Sequence, residues 1–346
     1  MKSFSNCSLK NFNTFGIDVQ AKTLIEIEDQ TDLVNLMRRG YASEFFVIGG
    51  GSNMLLTEDI DKTVLHINNK GIKIVEETED HVKIQCQAGE NWHQFVHYCV
   101  NQNYGGFENL ALIPGNVGTA PIQNIGAYGT ELKDCFVECS AVNLETSELQ
   151  VFSKEECQFG YRDSIFKREL KDQVIIDSVT FKLTKKEHSL NLDYGSISEE
   201  LSTKNITNPG IKDVFEVVQQ IRQAKLPDPA KIGNCGSFFK NPVLSSDKFE
   251  QIKTEHPNIR HFELENGQVK IPAGWMIDQA GFKGYKKGNV GVHKNQALVL
   301  INLGQATGKE VIELAVQIQK HIQQQFGIKL QPEVNIFPKR EQALLS

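Results

Sequence analysis

The sequence contains no apolar run long enough to cross a bilayer, and the segment from Met1 to Phe15 is polar. We therefore expect neither a membrane-spanning segment nor a secretory signal. Basic residues are not in excess, since 37 Lys and Arg against 43 Asp and Glu give a net charge of −6. This balance argues against a nucleic-acid partner but is compatible with a local basic pocket for an anionic small molecule.

Cysteine patterns typical of metal or redox sites are also missing. The cysteine count is odd, and no C-x-x-C pair or Cys/His cluster has zinc spacing. We therefore predict reduced thiols in a cytoplasmic protein, and no metal site. A redox pair of Cys135 and Cys139 is the less favoured alternative, because alternation places both on one strand. The cysteines are Cys7, Cys86, Cys99, Cys135, Cys139, Cys157 and Cys235.

Three common site motifs are absent. The sequence has no G-x-G-x-x-G and no G-x-x-x-x-G-K-[ST], so a bound dinucleotide must use another fold than the Rossmann or P-loop type. A G-x-S-x-G nucleophile elbow is also absent, because Phe239 occupies the second glycine position after Ser237. Serine-hydrolase chemistry therefore fits poorly.

What is present is a chain of ordinary globular composition, with 40% hydrophobic and 23% charged residues. Its 346 residues are enough for two or three domains. We predict an α+β fold in three parts. These are residues 1–69, with 328–346 packing back on them, then 70–210, and then 211–327.

The first part alternates strand and helix signals. Thr23 to Ile27 predicts a strand, Thr31 an N-cap, and Gly40 the end of the helix. Phe45 to Ile48 is a short apolar strand that runs straight into Gly49-Gly50-Gly51-Ser52-Asn53. A β-α-β-loop unit of this kind is a common start of a cofactor-binding domain.

The later parts carry clear local signals. A period of two predicts a strand over His81 to Gln87, and an apolar face predicts a helix over Trp92 to Asn101. The other predicted elements are strands near Phe136 to Val142 and Val174 to Leu183, a helix from Ile211 that ends before Leu226, and a last helix with a capping box of Thr307 and Glu310 and with Gly327 at its end.

Two glycine-rich loops are the strongest functional signal. The first is Gly49 to Asn53, and the second runs from Pro114 to Pro121 and on through Gln123 to Gly129. Glycine lets successive N–H groups turn toward an anion, so the pair could wrap a dinucleotide pyrophosphate. The alternative is that these glycines only make turns.

Single residues elsewhere are weaker candidates. Arg162 could clamp a carboxylate, or form only a surface ion pair with Asp163. Ser237 could be a positioned hydroxyl, or a turn serine that caps a helix. Glu333 could be a catalytic acid or an edge-strand residue, and Lys225, stiffened by the following prolines, suits a phosphate.

Taken in order, the motifs resemble the UDP-N-acetylenolpyruvoylglucosamine reductase family over almost the whole chain. The matching blocks are Asn13 to Gly16, Gly49 to Asn53, Ile113 to Gly129, Gly160 to Lys167, Lys225 to Pro229, Gly236 to Pro242, Ala273 to Gln279 and Pro332 to Val334. Asp193-Tyr194-Gly195 resembles the subtype with a tyrosine loop. Cys235, Thr119-Ala120 and Gln331 depart from the usual pattern.

The resemblance implies a vanillyl-alcohol-oxidase-type (PCMH-type) FAD-binding module in two subdomains, followed by a C-terminal α+β substrate-binding domain. It implies non-covalent FAD, NADPH as co-substrate, and a UDP-sugar as substrate. The implied reaction reduces the enolpyruvyl ether of UDP-N-acetylglucosamine to UDP-N-acetylmuramate for peptidoglycan. The expected protein is a cytoplasmic monomer without a nucleic-acid, membrane or metal partner.

The resemblance also implies roles for single residues. Arg162 and Glu333 match residues that stabilise the enolate, and Ser237 matches the proton donor. The implied FAD contacts are Ile48, Gly49, Gly50, Gly51, Ser52, Asn53, Met54, Pro114, Gly115, Gly118, Thr119, Ala120, Gln123, Asn124, Gly126, Tyr128 and Ile176. The implied substrate contacts are Tyr161, Tyr194, Lys225, Gly236, Asn241, Lys270 and Gln296.

Two rival functions fit parts of this pattern. An FAD oxidase on the same module often tethers its flavin through a histidine in the glycine loop, but residues 49–55 contain no histidine. A nucleotide-binding sensor would keep the fold without the chemistry, and intact Arg162, Ser237 and Glu333 argue against it.

Overall fold

The computed structural model of the chain describes residues 1–39, 45–194, 196–264 and 266–338. Its α-helices are α1 (Gln30–Arg38), α2 (Trp92–Asn101), α3 (Ile197–Thr203), α4 (Ile211–Lys225), α5 (Ser246–Glu255), α6 (Ala273–Gln279) and α7 (Gly308–Phe326). Its strands are β1 (Lys2–Ser8), β2 (Gln20–Ile27), β3 (Phe45–Ile48), β4 (Met54–Leu56), β5 (Ile60–Ile67), β6 (Ile72–Glu77), β7 (His81–Gln87), β8 (Gly126–Ala127), β9 (Thr130–Glu131), β10 (Phe136–Asn143), β11 (Leu149–Ser153), β12 (Val174–Thr184), β13 (Val243–Leu244), β14 (Phe262–Glu263), β15 (Val269–Lys270), β16 (Lys286–Lys287), β17 (Val290–Val292), β18 (Leu300–Asn302) and β19 (Asn335–Phe337).

The first compact unit comprises residues 1–7, 21–50 and 60–223. It contains a four-stranded sheet in the order β1-β2-β5-β3, in which β2 and β3 run parallel to β5. A second sheet of five antiparallel strands has the order β11-β10-β12-β7-β6. The β3 strand lies at one edge of the first sheet. It ends at Ile48, and the chain continues from there directly into the first glycine loop.

The core of this unit is built on α2 and the five-stranded sheet. The α2 helix begins and ends at the predicted residues, and Asn91 caps it by accepting a hydrogen bond from the Gln94 N–H. Trp92 packs edge-on against Phe107, with ring centroids 5.1 Å apart, and Phe107 packs edge-on against Phe181 at 5.0 Å. Buried aromatic rings in this geometry stabilise the layer that carries the second glycine loop.

The second compact unit comprises residues 8–20, 51–59 and 224–346. Its longest helix, α7, has the predicted capping box of Thr307 and Glu310, and it ends at Gly327, which has φ 65°. The short strand β19 pairs in parallel with β4. In this unit, therefore, the last described strand of the chain lies beside the end of the first glycine loop.

Two local expectations need correction. Thr31 is not the N-cap of α1, because the Asp29 carboxylate accepts the Asp32 N–H and the helix begins at Gln30. The alternation that places both Cys135 and Cys139 on one strand is wrong for Cys135, which lies just before β10 and, like the other six cysteines, is a free thiol. Gly40, expected to end α1, lies outside the described residues, as do residues 339–346 of the C-terminal segment.

The three-part division at 69/70 and 210/211 stays a prediction. Within the described part of the chain, no helix is both long and apolar enough to span a membrane.

Candidate active site

The two glycine loops pack directly against each other in the first unit. A Cβ on Gly50 would lie 2.8 Å from the Gly115 Cα and 2.8 Å from the Asn116 Oδ1. A Cβ on Gly49 would lie 2.7 Å from the Thr119 Cγ2. Glycine is therefore required at both positions by the close approach of the loops, and the loops form one surface.

Backbone donors on this surface lack protein partners. In the described part of the chain, the N–H groups of Gly49, Gly50, Gly115 and Asn116 donate to no acceptor. Buried or half-buried amides without an acceptor are rare in folded proteins, so a bound group is the natural partner. Several amides on two touching loops fit the pyrophosphate of a dinucleotide such as FAD. This favours ligand binding over the simple-turn alternative.

The first loop continues into the second unit at Gly51. Gly51 has φ 63°, and a Cβ there would collide with the carbonyl oxygen of Phe12. The Gly51 carbonyl accepts a hydrogen bond from the Thr14 N–H at 3.0 Å. The backbone of Phe12 and Thr14 therefore packs against the glycine loop at Gly51 and supports its conformation.

Asn124 fixes the second loop. It has a left-handed backbone with φ 42° and is fully buried. Its side-chain amide donates to Glu131 Oε2 and to the Gly160 carbonyl, both at 3.0 Å, and accepts from the Lys133 N–H at 3.1 Å. The side chain is thus engaged within the protein, so any FAD contact of Asn124 would come from its backbone.

The other predicted FAD contacts lie on these loops or beside them. Ile48 ends β3, Met54 begins β4, Gly126 begins β8 and Ile176 lies on β12. Thr119 is held by its hydroxyl, which donates to the Asn116 carbonyl at 2.8 Å. The assignments of Ser52, Asn53, Pro114, Gly118, Ala120, Gln123 and Tyr128 stay predictions with the rest.

Arg162 lies at the edge of the second loop. Its backbone is left-handed, with φ 55°, and its Nη2 donates to the Gly126 carbonyl at 2.7 Å. Its guanidinium also lies 5.7 Å from the centre of the exposed Tyr161 ring. Asp163 forms an ion pair with Arg168, and the alternative of an Arg162–Asp163 surface pair stays a prediction.

Arg222 on α4 is a second arginine in this region, and the sequence reasoning missed it. Its Nη2 donates to the Leu112 carbonyl at 3.2 Å, and its Nε is buried without a partner in the described part of the chain. Burial lowers the pKa of Arg222 against the opposing effect of Tyr128, and the positive charge of Arg162 lowers it further. Two arginines close enough to repel each other electrostatically indicate a site for an anion.

The only sequence signal for Arg222 is its place on α4. It follows the buried Val214, Val218 and Ile221 on an amphipathic helix. Such a residue is usually interpreted as a solvated charge next to the apolar face, so the burial of its Nε was visible only in the tertiary structure.

Leu112 enters the second loop with an unusual backbone, φ 55°. Its N–H donates to His93 Nδ1 at 3.1 Å, and the His93 ring stacks on Phe215 with centroids 5.7 Å apart. Burial lowers the pKa of His93, and the nearby His97 and Arg222 lower it further. A neutral His93 therefore holds this backbone in a left-handed conformation, which is costly for leucine.

We expect His93 to make stability fall in mild acid. The pKa of His93 in the folded protein is below its value in the unfolded chain, about 6.5. At higher pH the residue is neutral in both states and does not reduce folding stability. As pH falls below that value the unfolded chain binds the proton first, so folding stability declines until the folded pKa is reached. The His93→Gln variant should lose part of this decline, measured by urea unfolding at several pH values.

His97→Gln is the matched control for this prediction. His97 also lies against Phe215, with centroids 5.7 Å apart, but its ring nitrogens contact the Asn101 side-chain amide, at 3.4 Å and 3.3 Å, and among the described residues no backbone N–H donates to them. Because the positive charge of His97 adds to the lowering of the His93 pKa, its variant should lose a smaller part of the acid sensitivity than His93→Gln does. Equal pH profiles for the parent and His93→Gln would contradict the role assigned to His93.

Ser237 and Glu333 lie on adjacent extended segments of the second unit. Ser237 forms an antiparallel bridge with Val299, and the Glu333 N–H donates to the Phe238 carbonyl at 2.8 Å. Ser237 caps none of the helices in the described residues: the next helix, α5, begins at Ser246 and is capped by Ser245, so the capping alternative is wrong. Glu333 lies just before β19 and not within a strand.

The predicted substrate residues of the second unit have distinct surroundings. Lys225 is exposed at the end of α4, and Gly236 has φ 76° with open space where a Cβ would stand. Asn241 Oδ1 accepts from the Ala273 N–H at 2.9 Å, and Lys270 Nζ lies 5.8 Å from the centre of the Phe262 ring. Gln296 accepts from the Leu298 N–H at 3.4 Å.

Two other chemistries find no support in the described residues. No group of three or more His, Cys, Asp or Glu side chains there could hold a metal ion. Burial raises the pKa of Cys235, which is two residues before Ser237, so this thiol is not a ready nucleophile.

Comparison with known proteins agrees with this arrangement along the whole chain. An FAD binding domain profile matches residues 21–153, and the C-terminal domain profile of UDP-N-acetylenolpyruvoylglucosamine reductase matches residues 228–337. The reductase of that name from Flavobacterium johnsoniae is 53% identical over 97% of this chain and 100% of its own length. The chain belongs to the UDP-N-acetylenolpyruvoylglucosamine reductase family.

Other members of the reductase family agree. The Pseudomonas putida reductase is 46% identical over 95% of this chain and 97% of its own length. The crystal structure of the Thermus caldophilus reductase matches the fold with a TM-score of 0.68 at 23% identity, covering 97% of this chain and 98% of that one. The predicted α+β fold, with an FAD-binding module ahead of a reductase C-terminal domain, is confirmed.

Proposed function

We propose that the chain reduces UDP-N-acetyl-3-O-(1-carboxyvinyl)-glucosamine to UDP-N-acetylmuramate with NADPH, through bound FAD, in peptidoglycan precursor synthesis. The observation that carries this is the 53% identity to a reductase of that activity along its full length. The touching glycine loops with unpartnered amides support FAD as the cofactor. We further propose that the protein works as a monomer in the cytoplasm.

FAD, when bound, supplies the carrier that takes a hydride from NADPH and delivers it to the vinyl carbon of the substrate. In our proposal the amides of Gly49, Gly50, Gly115 and Asn116 bind its pyrophosphate. Non-covalent binding is supported by the lack of histidine in residues 49–55. Acid precipitation should therefore leave the yellow colour in solution, whereas the rival oxidase with a tethered flavin would retain it in the pellet.

The charge that develops on the substrate explains the proposed catalytic residues. Hydride addition to a vinyl group conjugated with a carboxylate produces an enolate, and Arg162 supplies positive charge where that negative charge grows. Glu333 can assist only when protonated or bridged by a donor. Ser237 then gives its hydroxyl proton to the neighbouring carbon, which the strongly basic enolate can accept when the hydroxyl is held in line.

The proposed substrate contacts are of two kinds. Lys225 and Asn241 are proposed for the sugar nucleotide because a cation and an amide suit its phosphates. Tyr161 and Tyr194 are exposed aromatic rings that could cover it. The remaining proposed contacts are Gly236, Lys270 and Gln296.

Lys225→Ala should chiefly weaken binding of the sugar nucleotide. A charged hydrogen bond is worth about 1.5–3 kcal/mol, which corresponds to roughly tenfold to a hundredfold in affinity. Titration of the oxidised enzyme with the sugar nucleotide measures this. Lys231→Ala, at an exposed lysine on the following turn, is the matched control. Unchanged affinity in Lys225→Ala would remove Lys225 from the site.

The assay that tests the function measures NADPH consumption with and without the enolpyruvyl sugar nucleotide. We expect oxidation that depends on the sugar nucleotide and yields one product per NADPH. Oxidation that needs only oxygen would favour the oxidase. No consumption by the FAD-loaded protein would favour the nucleotide-binding sensor.

A further inference from the structure

Asn109 joins two segments that are far apart in sequence. It is 1% exposed and lies in the short 3-10 turn Glu108–Leu110. Its Nδ2 donates to the Tyr128 carbonyl at 2.9 Å and to the Asn191 carbonyl at 2.8 Å. Both N–H groups of one amide are therefore used, one on each segment.

Asn191 returns a bond to the same loop. Its Nδ2 donates to the Gly129 carbonyl at 3.0 Å. Gly129 has φ 79°, and a Cβ there would lie 2.5 Å from the Asn191 Nδ2, so only glycine permits this approach. The second glycine loop and the segment around Asn191 are thus held together by two side-chain amides.

The same segment carries Tyr194. Its ring lies edge-on to the Tyr128 ring, with centroids 6.5 Å apart at 90°. Tyr194 itself is 56% exposed, so this ring contact alone gives it little support. The hydrogen bonds at Asn191, three residues earlier, are the firm attachment of the segment to the loop.

The chemistry of the Asn109 side chain matches this task. Two carbonyl oxygens need two N–H donors fixed at one point, which an amide provides and a carboxylate or hydroxyl cannot. The Oδ1 of Asn109 is buried without a partner in the described part of the chain. A buried polar atom left unsatisfied is costly, so this asparagine is not explained by core packing alone.

We propose that Asn109 is a positioning residue that ties the Tyr194 segment to the second glycine loop and so places Tyr194 over the substrate. This rests on the proposed function, in which Tyr128 belongs to the FAD site and Tyr194 to the substrate site. The tie itself is a property of the protein without substrate. Releasing it frees Tyr194 and leaves the hydride transfer from NADPH intact.

Hydrogen exchange of the FAD-loaded protein tests the tie directly. In Asn109→Leu, which keeps the size but donates no hydrogen bond, amides of residues 190–194 should exchange about tenfold faster than in the parent protein, the effect expected for losing buried hydrogen bonds. Exchange in α7 should not change, which controls for global loosening. Unchanged exchange over residues 190–194 would overturn the proposal.

A second variant covers the case in which Asn109→Leu fails to fold. Asn191→Ala removes the bond to Gly129 from the half-exposed side and keeps the Asn191 backbone carbonyl for Asn109. It should speed exchange of the same residues by a smaller factor. If Asn191→Ala folds and leaves the segment as protected as before, the proposed attachment is wrong.

Kinetics separate this proposal from the proposed function. Asn109→Leu should raise KM for the enolpyruvyl sugar nucleotide about tenfold, while NADPH still bleaches the flavin at the parent rate. Faster hydrogen exchange in Asn109→Leu, together with a parent protein that has no reductase activity, would contradict the proposed function but support the proposed attachment. Normal KM together with faster exchange would contradict the role of the tie in placing Tyr194.

Discussion

Replacing Ser237 with alanine is expected to leave reduction of the flavin by NADPH nearly unchanged and to slow its reoxidation by the enolpyruvyl sugar nucleotide by about 10²–10⁴, the range for losing a general acid. That corresponds to roughly 3–5 kcal/mol of barrier. The reason is that the proposed proton transfer belongs only to the second half-reaction. Stopped-flow absorbance of the flavin measures the two halves separately.

Ser245→Ala is the matched control for this experiment. Ser245 accepts the Lys248 N–H at 3.4 Å as the N-cap of α5, so its loss should cost about 1 kcal/mol of stability and leave both half-reactions intact. Equal slowing of both halves in Ser237→Ala would indicate a distorted site. Normal reoxidation would mean that the proton comes from another group.

Replacing Gly51 with alanine is expected to disrupt the first glycine loop and release FAD. A left-handed backbone costs a non-glycine residue about 1–2 kcal/mol, and forcing a methyl group into packed atoms costs about 1–3 kcal/mol more. Here the added Cβ would meet the carbonyl oxygen of Phe12, which is backbone and cannot rotate away. Melting temperature and the fluorescence of released flavin measure the two consequences.

Gly281→Ala is the control that separates the cost of a left-handed backbone from the cost of a steric clash. Gly281 has φ 78°, like Gly51, but nothing lies within 4 Å of an added Cβ. It should therefore show only the conformational cost, about 1–2 kcal/mol, and keep its FAD. If both variants lose equal stability and both retain FAD, the close approach of Phe12 does not shape the cofactor loop.

The local elements of this protein could be read from the sequence with good accuracy. The helix over Trp92–Asn101 and the strands over Phe45–Ile48 and His81–Gln87 have the predicted bounds. The capping box of α7 is also as predicted. Periodicity and capping are local properties, because they depend on residues within one or two turns. The predicted start of α1 is wrong because Asp29 and Thr31 are both favourable N-cap residues. Only the backbone conformation, which is extended at Asp29, decides between them.

The candidate site was predictable where order along the chain was enough. The succession of blocks from the Asn13–Gly16 segment to Pro332–Val334 pointed to the reductase family, and the full-length relatives confirm this membership. That order says which residues belong together chemically. It does not say which of them touch, so the contact of Gly50 with Gly115 and the collision behind Gly51 came only from the fold.

By itself the sequence determined the longer helices and several of the longer strands, the family, and the candidate FAD-binding and catalytic residues. The tertiary structure alone decided that the Arg222 Nε is buried near Arg162, that Ser237 lies on an extended segment, and that Asn109 ties Tyr128 to Asn191. The physical reason is that burial and hydrogen bonds to distant backbone depend on contacts across long stretches of chain. No local pattern of residue types encodes such contacts.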